Sequence, residues 1–268
     1  MELDADDVLI GRVLTRREVL VLFGTAGTAA ALAACTPGAT ETGTPGASAG
    51  VTASPGATAS PGASGTAAVP ACIVRPALTE GPYFVDERLL RSDIRSDPSG
   101  AAEREGLPLE IAFAVSQISG SECTALANAL VDVWHCDAAG QYSDVQDQGF
   151  DTTGQKWLRG YQMTDAAGNA TFLTIYPGWY QGRTVHIHFM IRLDPDSTAG
   201  LEFTSQLFLD DATSDQVFAN APYAAKGERG TRNDNDNIYG QSEGLLTLAL
   251  AGDAASGYSA RFEIGITT

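Results

Sequence analysis

The sequence predicts an all-β domain, an antiparallel β-sandwich with short helices only. Seven short segments rich in β-branched, aromatic and other apolar residues recur through the second two-thirds of the chain. Turn signals built on Gly, Asp and Ala separate them, and no 3.6-residue apolar period is sustained. The chain has 268 residues, 44% hydrophobic and 8% aromatic, enough to close one packed core of this kind.

Taken in order, "LEIAFAVSQI" (109–118) alternates in part, and "ALVDVWHC" (129–136) carries Leu130, Val131 and Val133. "ATFLTIY" (170–176), "RTVHIHFMI" (183–191), "EFTSQLFL" (202–209), "GLLTLALA" (244–251) and "YSARFEIGI" (258–266) follow. "DAAG" occurs twice, at 137–140 and 165–168, and "AAKGERG" and "AGDAASG" mark later turns. One short helix fits "TSDQVFAN", with Thr213 or Ser214 as its cap. The composition of "LLTLALA" suits a helix as well as a strand.

Residues 1–35 stand apart from this domain. Arg16 and Arg17 precede an apolar run from Val19 to Ala34, which ends in "LAAC". Sixteen apolar residues are few for a spanning helix, and the flanks are those of a signal peptide. Paired arginines mark the twin-arginine export route, and "LAAC" matches a bacterial lipoprotein box with Cys35 as the lipidated residue. An uncleaved anchor is the alternative; Glu2, Asp4, Asp6 and Asp7 make the extreme N-terminus unusually acidic for either. Residues 36–70 repeat Thr/Ser-Pro-Gly-Ala, starting at Thr36, Thr44, Ser54 and Ser60. A segment with so little apolar bulk forms a flexible tether spanning roughly 30–35 Å. The folded domain is therefore expected over 71–268. Its setting is the cell surface or the exterior, with membrane contact only through Cys35. The net charge of −17 argues against nucleic acid or an anionic membrane surface as a partner.

Beyond Cys35 the chain has Cys72, Cys123 and Cys136, so one thiol stays unpaired if a bridge forms. Cys123 and Cys136 lie on a largely extended segment, about 40 Å apart if straight, far beyond bridging reach. A bridge involving Cys72 is expected, with its partner open. No C-x-x-C pair exists, which argues against a thiolate zinc site.

The chemistry concentrates in "YPGWYQGRTVHIH" (176–188), which holds two of the three histidines, two tyrosines and an arginine. His186 and His188 lie two apart on an expected strand and so share a face. Pro177-Gly178 forces a turn that can swing Tyr180 toward them, and Tyr142 follows the first "DAAG" turn. Arg183 shares the strand only if the strand starts early. Two imidazoles and two phenols form an uncommon donor set. Phenolate is a hard anionic oxygen donor, so its natural partner is a hard ion of high charge such as Fe(III).

These stretches, with "LTEGPYFVDERLLRSDI", "ALVDVWHCDAAGQYSD" and "WLRGYQMTDAAGNATFLTIYPGWYQGRTVHIHF", make a specific pattern. The domain resembles the intradiol ring-cleavage dioxygenases, the group that includes protocatechuate 3,4-dioxygenase and catechol 1,2-dioxygenase. It is most similar to their secreted bacterial and fungal relatives. The resemblance implies a transthyretin-like β-sandwich and one mononuclear non-haem Fe(III) per chain. It also implies cleavage of a catechol by O2, between the hydroxyl-bearing carbons, to a muconate-type diacid, and commonly a homodimer. By position, Tyr142 matches the first tyrosinate ligand, Tyr180 the exchangeable one, and His186 and His188 the imidazole pair. Tyr176 is the rival for Tyr180. Arg183 matches the arginine beside bound substrate; Gly81, Pro82, Tyr83 and Gln206 match residues lining its pocket. Trp134 and His135 are expected to be scaffold. The competing reading is an exported β-sandwich binding module with a non-catalytic metal site. A cupin-like metalloenzyme lacks a suitably placed third histidine.

Overall fold

The computed structural model describes residues 73–194 and 200–267. The signal region, Cys35, the tether and Cys72 lie outside the described residues. Two sheets face each other. One holds β1 (Pro108–Ser119), β2 (Glu122–Ala125), β5 (Asn169–Ile175), β8 (Leu250–Asp253) and β9 (Gly257–Thr267). The other runs β4 (Arg159–Met163), β3 (Leu130–Trp134), β6 (His186–Arg192), β7 (Glu202–Phe208). β2 and β5 pair successive stretches of β1, and β9 runs along β1 over Leu109–Ile118. That last pairing is parallel, the one departure from the antiparallel expectation among the paired strands.

The core lies between the sheets, where Ile111, Phe113 and Val115 of β1 face Ile187, Phe189 and Ile191 of β6. Phe113 and Phe262 approach Phe189 with ring centroids 5.4 and 5.5 Å away, tying one sheet to the other. Each buried aromatic ring contributes a large apolar area, so this seam carries much of the cohesion.

The strand predictions hold except at "GLLTLALA", where Leu246 and Leu248 are buried in a turn region and β8 begins only at Leu250. β2 and β4 escaped the sequence reading because each is short and lacks an apolar alternation. The expected helix is α1 (Asp211–Phe218), and its cap is Asp210, which accepts from the Thr213 amide. Thr213 and Ser214 are displaced as caps because an Asp three or four residues earlier fills the role as well. A 3₁₀ turn (Tyr223–Lys226) and α2 (Asn237–Gln241) were not foreseen.

Strand β6 is buried along its whole length, on both faces. Its outer face is covered by the segment that precedes β1. That segment starts on β7, where the Leu78 amide bonds to Thr204 O (3.0 Å). It reaches β4 at the far edge, where the Tyr161 amide bonds to Leu89 O (2.9 Å). Under this strap lies a second cluster of Trp134, Cys136, Tyr142 and Met190, with Tyr83, Phe84 and Tyr180 packed against it.

Cys136 is a free buried thiol and Cys123 is disulfide-bonded, so the two are not joined to each other. The partner of Cys123 falls outside the described residues.

Candidate metal centre

Two loops bring the tyrosines together. After β3, Asp137 to Gly140 turn the chain sharply, and Gly140 has φ +79°. After β5 the expected Pro177-Gly178 turn is absent: residues 176–180 run on without a turn, the Gly178 amide bonds to Asp137 O (3.1 Å), and the chain turns only at Gln181 and Gly182 (φ +91°), just past Tyr180. The 137–140 turn and the stretch around Gly178 touch backbone to backbone. A Cβ on Gly140 would strike Trp179 O, and one on Gly178 would strike Asp137 O and Ala138 O. Only glycine permits such approach, and it sets Tyr142 and Tyr180 side by side, ring centroids 5.9 Å apart.

Strand periodicity supplies the rest. His186 and His188 both point under the strap, away from Ile187 and Phe189 in the core. Tyr180 Oη lies 3.1 Å from His186 Nε2, Tyr142 Oη 3.4 Å from it, and His188 Nε2 3.1 Å from it. His186 Nδ1–H donates to Thr184 O (2.7 Å), so Nε2 carries the lone pair. One lone pair thus faces three polar atoms. If His188 Nε2–H donated to it, His188 Nδ1, buried with no hydrogen-bond partner, would be an orphaned acceptor. In the other tautomer two lone pairs face each other. A cation shared by the four atoms takes up the facing lone pairs and leaves only His188 Nδ1–H, under Trp134, without a partner. Donors about 2.0–2.1 Å from one ion lie roughly 3.3 Å apart at tetrahedral angles, close to the separations found.

The electrostatics agree. Burial, with the Arg183 charge, lowers His186 to about 3, and burial, His186 and Arg183 take His188 well below its usual value. Both imidazoles are therefore neutral donors at neutral pH. Burial and the neighbouring Tyr180 push the Tyr142 phenol well above its usual value. Only a strongly charged cation would hold such a phenol as phenolate. Among the described residues no cluster of three or more His, Cys, Asp and Glu exists. The donor set is Tyr142, Tyr180, His186 and His188, and it fits a hard, high-charge ion.

Tyr142 is 1% exposed, whereas Tyr180 is half-buried. Tyr176 does not join them; it is buried in the core, hydrogen-bonded to Ser214 Oγ (2.7 Å). Arg183 precedes β6 and is buried in an ion pair, Nε to Asp236 Oδ2 (3.0 Å). Its Nη2 donates to Gln206 Oε1 (2.6 Å), and Gln206, opposite His188 on β7, donates to Thr79 O (3.0 Å). Tyr83 stacks on Tyr142 at 4.6 Å and sends its hydroxyl to Asp147. Gly81 (φ +74°) and the exposed Pro82 form the turn leading into it. His135 is spent on Cys136 O and Thr174 Oγ1. Trp134, expected as scaffold, lies parallel to the His188 ring at 5.0 Å and forms one wall of the centre. Asp236 and Thr184 were missed. Their only sequence signal is an Asp followed by a short helical stretch, which reads as a cap.

The family model described as "Dioxygenase" matches residues 79–210. The protocatechuate 3,4-dioxygenase beta chain of Burkholderia cepacia is 34% identical over 110 residues, 37% of this chain and 46% of that protein. Chlorocatechol 1,2-dioxygenase of Pseudomonas sp. (strain P51) is 28% identical over 138 residues, 45% of this chain and 51% of that one. The chain thus spans about half the length of these curated relatives. An intradiol ring-cleavage dioxygenase from Tetranychus urticae superposes with a TM-score of 0.64 at 27% identity, over 73% of this chain and 95% of that one. The matched segment contains Tyr142, Tyr180, His186 and His188. The chain is similar to the intradiol ring-cleavage dioxygenases in sequence and in fold.

Proposed function

We propose that the domain is a non-haem iron dioxygenase that cleaves catechol-type rings between the two hydroxyl-bearing carbons, using O2, to muconate-type diacids. The convergence of two phenols and two neutral imidazoles on one point carries this reading. Tyr142, Tyr180, His186 and His188 would hold one Fe(III). When bound, that ion supplies a Lewis acid that binds both catechol oxygens and draws electron density from the ring.

The chain's own residues have separable tasks. Tyr142, fully buried under Tyr83, is the permanent phenolate. Tyr180, half-buried just before the turn at Gln181 and Gly182, is the donor that can leave when a catechol arrives. On leaving it is a base within the site, able to take up a catechol proton at Oη. Trp134 and the Thr184 carbonyl hold the two imidazole planes. Arg183 is preset by Asp236 and Gln206 to face negative charge that develops on the substrate, and costs no reorganisation when it does. Buried walls exclude water from the reacting ring.

Export and lipid attachment at Cys35 belong to the same proposal. The disulfide at Cys123 supports an oxidising compartment.

Metal analysis and visible spectra of the purified chain, with oxygen uptake on a panel of catechols and product mass, test the reading. The expected result is about one iron per chain, a tyrosinate charge-transfer colour and uptake of one O2 per catechol cleaved. A colourless, iron-binding protein without oxygen uptake would favour the binding-module alternative.

A further inference from the structure

Asp236 lies in the C-terminal part of the domain, outside the segment matched by the family model, and is 5% exposed. Its carboxylate has no idle lone pair. Oδ1 accepts from the Ile238 and Tyr239 amides, both at 2.8 Å, which locks it to the first turn of α2. Oδ2 accepts from two consecutive residues, Arg183 Nε at 3.0 Å and the Thr184 amide at 2.8 Å.

Each of those contacts leads to the centre. The Arg183 guanidinium is gripped at Nε by Asp236 and at Nη2 by Gln206, which Thr79 O orients in turn. A planar fork held on two sides has its direction fixed. The Thr184 peptide donates to Asp236 through its own amide, and the Thr184 carbonyl receives His186 Nδ1–H at 2.7 Å. Thr184 Oγ1 is also tied, to Asn233 Oδ1 (2.6 Å). One carboxylate thus sets both the cation and the turn that aims a histidine. Burial opposes ionisation of Asp236, but the Arg183 charge and the Thr184 and Tyr239 amides outweigh it and hold the carboxyl below its usual value. An uncompensated guanidinium beside neutral imidazoles would work against binding of a cation; the pair offsets that charge while leaving the guanidinium aimed.

We propose that Asp236 is the positioning residue of this centre, fixing Arg183 toward the substrate and, through Thr184, the imidazole of His186. The proposal rests on the dioxygenase reading of the site. A helix cap alone would explain the Oδ1 contacts but not the paired use of Oδ2.

The test is a double-mutant cycle on the iron-loaded full chain with Asp236→Asn, Arg183→Gln and the double variant, with oxygen uptake normalised to bound iron. Arg183→Gln should lower kcat by about a hundredfold, as for loss of one oxyanion donor. Asp236→Asn should lower it by about tenfold or more with KM nearly unchanged, and the double variant should be slower than Arg183→Gln by clearly less than the factor that Asp236→Asn costs alone. Multiplying losses would overturn the proposal, as would a destabilised Asp236→Asn whose per-iron kcat is that of wild type. Should Asp236→Asn not fold, Asp236→Glu, which keeps the charge and displaces it, enters the same cycle with the same criteria. If the wild type takes up no oxygen with any catechol, the dioxygenase reading fails separately. The visible band of the Fe(III)-loaded variants then decides: a band shifted in Asp236→Asn or Asp236→Glu supports orientation of His186 through Thr184, and an unchanged band overturns it.

Discussion

The sequence Asp-Ala-Ala-Gly folds identically at residues 137–140 and 165–168. In each turn the aspartate carboxylate accepts from the amides two and four residues on, at 2.8–3.0 Å. In each the glycine amide bonds to the aspartate carbonyl at 2.9 Å, and the glycines have φ +79° and +78°. The surroundings differ completely. Asp165 is exposed, in the turn that carries the chain from β4 in one sheet to β5 in the other. Asp137 is 2% exposed, ion-paired with Arg104, and its carbonyl accepts from the Gly178 amide in the stretch that carries Tyr180. Four residues are enough to specify a turn, since all its bonds are local. They carry no information about which loop will pack on it.

Three pairs of substitutions sharpen the comparison. The largest effect belongs to Tyr142→Phe, which removes a donor five residues beyond Asp137 without changing the packing volume. Iron per chain should fall by about tenfold or more, since even loss of an outer partner costs that much in metal affinity. Tyr176→Phe, deleting the core phenol bonded to Ser214, should leave iron unchanged and cost about 1 kcal/mol of stability. Metal analysis and thermal unfolding measure both; wild-type iron in Tyr142→Phe would refute the assignment of that ligand.

Next come the two glycines. Gly140→Ala and Gly168→Ala share the same backbone strain, about 1–2 kcal/mol for a side chain at this φ, and each Cβ would meet a carbonyl oxygen. At Gly168 that oxygen belongs to Val115 of β1; at Gly140 it belongs to Trp179, beside Tyr180. Both variants should melt earlier, but only Gly140→Ala should shift the visible band and lose turnover per iron. Equal spectra for the two would mean the loop contact does not set the donor geometry.

The smallest effect is expected from the aspartates. Asp137→Ala strands the Ala139 and Gln141 amides and Arg104 in a half-buried setting, costing about 2 kcal/mol. For a domain of this size that is roughly 4–8 °C in melting temperature. Asp165→Ala leaves its amides to water and should shift the melting temperature much less. A like loss at both sites would show that burial adds nothing to the turn.

The sequence by itself determined the sandwich, because alternation and turn residues act over a few positions and appear in the order they are used. It also determined the donor types, since His186 and His188 share a face on any strand and the first Asp-Ala-Ala-Gly turn falls just before Tyr142; the turn expected at Pro177-Gly178 lies instead at Gln181 and Gly182, after Tyr180. Only the tertiary structure decided that Tyr180 rather than Tyr176 joins the histidines: both lie on the same stretch around Pro177-Gly178, and packing against Ser214 claims one of them for the core. Tertiary structure also decided what surrounds Arg183. Its partner Asp236 is 53 residues away, and nothing in the local sequence links them; a buried guanidinium requires a counter-charge, but the chain path alone determines which of many carboxylates supplies it.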